Sequence, residues 1–159
     1  MRRTTLFIGL FLFFISFVCS AEEPAPLTRR MEALAIGEAS LAYRLISLSV
    51  SLAIANATDA GAITGLLDNV DHTLRNGKTF LVTQNPAGPL TGEIGGLFDS
   101  LLSCSAQVKE YAKNKNYDRL QKVRTCTETI EGTLSALTEK FNRKEPEPPA
   151  GTPETKSGK

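Results

Sequence analysis

Apolar or small residues recur at positions 27, 31, 34, 41, 45, 48, 52 and 55, in steps of four and three broken only at Glu38. Such a heptad seam predicts a long helix over about 28–56 with those residues turned toward a partner. Ile46, Leu48, Val50, Leu52 and Ile54 also alternate with Ser or Ala, as in a strand. The seam runs through both halves with no turn residue between them, so helix is the better reading.

Asn56-Ala57-Thr58-Asp59 breaks the pattern and offers cap oxygens to the next helix, over about 59–83. Ile63, Leu66, Leu67, Val70 and Leu74 share one face of it, and Phe80 and Leu81 continue the phase beyond a weak point at Asn76-Gly77. Asn85-Pro86-Ala87-Gly88-Pro89 is a turn. A third helix over about 91–113 is expected to be capped by Thr91, with Glu93 favouring the dipole of its first turn. Its seam is Ile94, Leu97, Leu101, Cys104, Val108 and Tyr111, flanked by Phe98 and Leu102. After Lys113-Asn114-Lys115-Asn116, the clearest heptad follows over about 117–142: Leu120, Val123, Thr127, Ile130, Leu134, Leu137 and Phe141. Four helices of similar length joined by short turns predict an all-α, up-down-up-down antiparallel four-helix bundle. Residues 144–159 turn to Pro, Glu, Gly, Thr and Lys without apolar periodicity, as in a disordered tail.

The segment before the bundle changes the picture. Arg2 and Arg3, an unbroken apolar run from Leu6 to Val18, and Cys19-Ser20-Ala21 read as a signal peptide over 1–21, cleaved before Glu22. The folded part is then 22–143, in a periplasmic or secreted protein. Without Arg2 and Arg3 there are sixteen basic against seventeen acidic side chains, a balance that argues against a nucleic-acid partner. Export also decides the cysteines. Cys104 and Cys126 lie eleven residues on either side of Lys115. A chain folding back there brings both sulfurs roughly 16 Å from the turn at the helical rise of 1.5 Å per residue. In an oxidising compartment that pair becomes a structural disulfide.

Candidate chemistry is sparse. Residues 109–124 carry Lys109, Lys113, Lys115, Arg119, Lys122 and Arg124 against Glu110 and Asp118, a basic tip suited to an anionic lipid or an acidic partner. Glu38 falls on the first seam, and counting levels through the turns sets Gly77 and Gly132 across from it, a candidate ligand cavity. His72, the single histidine, follows Asp68 by one turn, too few ligands for a structural metal site. Asp71 and Arg75 have the spacing of a solvent-facing ion pair. Asn56-Ala57-Thr58 is an N-glycosylation acceptor if the source is eukaryotic.

An exported four-helix bundle with Met31 early in its first helix resembles the cytochrome c′ architecture in outline. The position of that family's Cys-x-x-Cys-His reads Cys126-Thr127-Glu128-Thr129-Ile130 here, which permits neither haem attachment nor a histidine ligand. The expected function is therefore a non-enzymatic interaction or structural role, with no cofactor and a protein or envelope component as partner. The alternative is a carrier of a small apolar ligand near Glu38, Gly77 and Gly132.

Overall fold

A computed structural model describes residues 27–143; the expected signal peptide over 1–21 and tail over 144–159 lie outside the described residues. Four helices are present, α1 (Leu27–Ile54), α2 (Ala60–Gln84), α3 (Thr91–Lys113) and α4 (Tyr117–Asn142), and the described residues contain no strand. They pack together unequally. Both α1 and α3 touch every other helix, whereas α2 and α4 do not meet.

Local chemistry sets the helix ends. The positive φ of 51° at Asn56 carries the chain out of α1 in the left-handed region that Asn tolerates. Asp59 caps α2 by accepting from the Ala62 N–H at 2.8 Å, and Asn116 caps α4 by accepting from the Arg119 N–H at 2.9 Å. Through Asn76-Gly77, α2 runs on to Gln84 without a break. The cap expected from Thr91 is replaced by another device. Leu90 holds the N-cap position of α3 and makes no side-chain cap bond. The Leu90 N–H instead donates to the buried Glu32 carboxylate of α1 at 2.8 Å, and the Thr91 hydroxyl donates to the Asn85 carbonyl at 2.7 Å. Gly88 permits that close approach, since a β-carbon there would fall 2.7 Å from Glu32 Oε1. Tertiary contact thus supplies what local capping does not.

The expected seams hold on α3, where Ile94, Leu97, Leu101, Cys104, Val108 and Tyr111 are all buried, and in the main on α4, where Val123, Ile130 and Leu137 are buried. On α2, Leu81 is buried but Phe80 is 59% exposed.

On α1 the expected phase is wrong by one residue. The inward positions are Glu32, Ala35, Ala39, Ala42, Ile46, Ser49 and Ala53, which themselves repeat in steps of three and four. Leu27, Leu34, Leu41, Leu45 and Leu48 face outward, at 72, 73, 44, 38 and 50% exposure. The reason is steric. Large residues of α3, with Leu97, Phe98 and Leu101 at 1, 0 and 0% exposure, fill the centre. Alanines on α1 let the two helices close on that bulk, whereas leucines there would overpack it.

Candidate functional site

Cys104 and Cys126 form the disulfide between α3 and α4, with their Cα atoms 5.6 Å apart. Cys104 is fully buried, and Cys126 packs half-buried against the same core. The bond therefore joins the best-packed helix to the one that contributes fewest buried residues.

The six cations of the basic tip separate into two groups. Lys109 leaves the tip altogether. Its ammonium donates to Asp68 at 2.6 Å and Asp71 at 2.7 Å, and its side chain is 14% exposed. Burial pulls its pKa down, but the hydrogen bonds and charges of Asp68 and Asp71 outweigh this and hold it above the ordinary lysine value. Asp71 is thus a buried partner of α3 rather than the solvent-facing partner of Arg75. Arg119 donates to the Glu110 carbonyl at 2.8 Å and its carboxylate at 2.9 Å, tying the start of α4 to α3. Lys113 lies 3.7 Å from the same carboxylate.

Lys115, Lys122 and Arg124 are exposed and have no carboxylate partner among the described residues. Lys115 donates to the Asn56 side-chain oxygen, which sets the 114–116 turn against the 55–59 turn. The net positive surface thus rests on three residues rather than six. Their replacement by glutamine is expected to leave the melting temperature within about 2 °C, because exposed charges contribute little to folding. Any binding to anionic vesicles at low salt should be lost in the same variant, as vesicle co-sedimentation would show.

Glu38 and Gly77 do come together. A β-carbon at Gly77 would fall 2.6 Å from Glu38 Cδ, so the carboxyl lies over the bare helix backbone. Gly132 does not join them: it is exposed on α4 with open space at its β position. The carboxyl group itself occupies the space above Gly77, so this corner gives a ligand cavity no support.

Glu38 makes no hydrogen bond or ion pair among the described residues, and burial raises its pKa above the ordinary value. The folded state then binds the proton more tightly than the unfolded chain. This group's contribution to stability therefore falls as pH rises from the ordinary carboxylate range through the raised value. Glu38→Gln should accordingly melt higher than the parent at pH 7, with the difference shrinking at pH 4. Partial exposure keeps the effect small. A difference that grows on acidification would contradict this.

His72 is exposed and pairs with Asn76 Nδ2 at 3.0 Å, while Asp68 is taken by Lys109. No group of three metal-ligating side chains occurs among the described residues. Tyr43 lies beside α4, its hydroxyl donating to Glu131 at 3.3 Å. Two clefts open along the helices. One, of about 380 Å³ along α3 and α4, is lined by Ser103, Ala106, Gln107, Glu110, Arg119 and Lys122. The other, of about 510 Å³, lies where Glu32 and Leu90 meet Lys140 and Phe141. The cations of the second are engaged: Lys140 with Glu93 at 2.6 Å, and Arg29 over the Phe141 ring at 5.3 Å.

The feature that sequence reasoning missed is the outward face of α1. Nine large apolar side chains are exposed among the described residues, and six of them belong to this one helix. The signal was present in the leucine heptad, which was assigned to the core. No protein-family model matches the chain, and neither a curated protein nor a solved structure shows significant similarity to it.

Proposed function

We propose that this chain is an exported, non-enzymatic interaction protein, acting in the periplasm or outside the cell after removal of a signal peptide over 1–21. The observation that carries this reading is the leucine face of α1. Contiguous exposed apolar surface on a folded domain marks a place where something else binds. Export is supported by the Cys104–Cys126 bond, since such bonds persist in oxidising compartments.

The helices run up-down-up-down and antiparallel in this reading, which several contacts support. Arg29 near the start of α1 donates to the Phe141 carbonyl near the end of α4 at 3.2 Å. Tyr43 bonds Glu131, Lys78 bonds Asp99, and Lys109 bonds Asp68, each joining levels that an alternating bundle would bring side by side. The basic residues Lys115, Lys122 and Arg124 provide a second surface, suited to an acidic partner or anionic headgroups.

Placing a photo-crosslinking residue at position 41 and irradiating in the native compartment tests the reading. A discrete protein adduct is expected from position 41 and not from Thr129, an exposed position on α4. No adduct from position 41 would remove the main support for an interaction role.

A further inference from the structure

Building on that reading, we propose that the outward face of α1 is a self-association surface, along which two copies of this chain pair helix against helix. Leu27, Leu34, Leu41, Leu45, Leu48 and Leu52 fall within a sector of about 60° at the ~100° per residue of an α-helix. Helices facing a broad core carry a wider apolar face, whereas a narrow stripe at heptad spacing is the seam of a two-helix contact. The best complement to such a seam is another leucine seam, because each leucine is both a knob and part of a hole.

The margins permit a second copy as well. Arg30 and Arg44 lie along one side of the stripe, without an ion-pair partner among the described residues. Two copies related by an axis parallel to their α1 helices would set the arginine margin of each over the other margin of its partner, which carries no basic residue, since Glu38 there turns its carboxyl onto Gly77 of α2. Gly37, at the edge of the stripe, is a small flanking residue that allows close approach. An interfacial membrane helix would instead pair a broad apolar face with a lysine-rich polar one.

Area sets the expected strength. At on the order of 100 Å² for a fully exposed leucine side chain, the five most exposed, at 38 to 73% exposure, offer roughly 300 Å² per copy. An interface is about 57–65% apolar, so with its polar margin the contact totals on the order of 1,000 Å², the lower limit for a specific interface. A dimer at this limit should dissociate at roughly micromolar concentration.

Sedimentation velocity of the purified, oxidised exported chain from about 1 to 500 µM reads this directly. The expected result is a shift from one copy to two, abolished by Leu41→Glu with Leu48→Glu while the helical circular dichroism and melting of the dilute protein are kept. Lys122→Gln at the opposite surface should leave the shift unchanged. A parent that stays monomeric throughout, or a dimer that survives the double glutamate variant, overturns the proposal. A monomeric parent that still gives an adduct with a different protein from position 41 overturns self-association alone and leaves the interaction role standing. A monomer that binds neutral phosphatidylcholine vesicles through the same leucines overturns it in favour of a lipid surface.

Discussion

Phe98→Ala is expected to destabilise the protein by about 3–5 kcal/mol, the range for deleting a buried aromatic ring from a packed core. Phe98 is fully buried on α3, which contributes more buried residues than any other helix, and it belongs to the same core cluster as Ala39 and Ile46 of α1 and Leu74 of α2. The alanines of α1 are too short to refill the vacated space, so the cavity should persist rather than collapse. A domain of this size has only about 5–15 kcal/mol of total stability. The variant should therefore lose at least about a fifth of its stability under the softest of these assumptions, and chemical denaturation would show a much lower midpoint with an unchanged slope. An outward substitution such as Leu34→Ala, by contrast, should cost a few tenths of a kcal/mol in the dilute protein, since surface changes usually fall within ±0.5 kcal/mol.

Removing the disulfide should have a comparable effect by a different route. Cys104 and Cys126 are separated by 22 residues. Closing a loop of that length restricts the unfolded chain by about 3 kcal/mol in the entropic account, whose mechanism is model-dependent. Cys104→Ala with Cys126→Ala should thus melt roughly 10–20 °C below the oxidised parent, at the several degrees per kcal/mol typical of domains near this size. The parent treated with a reductant should move in the same direction, whereas the double variant should not respond to reductant at all. A reductant-sensitive double variant would show that the effect lies elsewhere in the molecule.

Much of the architecture was legible because α3 and α4 obey a simple rule. On α3 the heptad residues Ile94, Leu97, Leu101, Cys104, Val108 and Tyr111 are all buried, and the flanking Phe98 is buried beside them. The symmetry of Cys104 and Cys126 about Lys115 likewise located the cross-link. The failure on α1 came from the same rule applied where it does not hold. The helix has two heptads offset by one residue, one mainly of leucines and one of alanines with Glu32, Ile46 and Ser49. Hydrophobicity alone selects the leucines for the interior. Volume selects the alanines, because the centre is already filled from α3, and that constraint is invisible until the helices are placed together.

Around the candidate sites the limits were angular and electrostatic. Counting residues through turns set Glu38 and Gly77 at one level, and the structure brings them into contact. The same count cannot give rotation about the helix axis, so Gly132 was assigned to a face that it does not occupy. The basic run over 109–124 could be counted from sequence, but its cancellation could not. Asp68 and Asp71 lie some forty positions before Lys109, and only packing of α2 on α3 brings them to it. Asp71 itself was assigned to solvent because the Arg75 spacing offered a local partner.

The rotation of α1 carries the whole functional reading, and two triple variants displaced by one residue test it. The first replaces Leu34, Leu41 and Leu48 with glutamine; the second replaces Ala35, Ala42 and Ser49 with glutamine. Melting is followed by circular dichroism at the lowest workable protein concentration. The first variant should stay folded with a melting temperature close to that of the parent, because all three leucines already face water. The second should fail to fold, since it drives three long polar side chains into positions at 6, 6 and 0% exposure. The opposite order, with the leucine triple unfolded and the alanine-side triple intact, would place the leucines in the core and remove the basis for an interaction surface on α1.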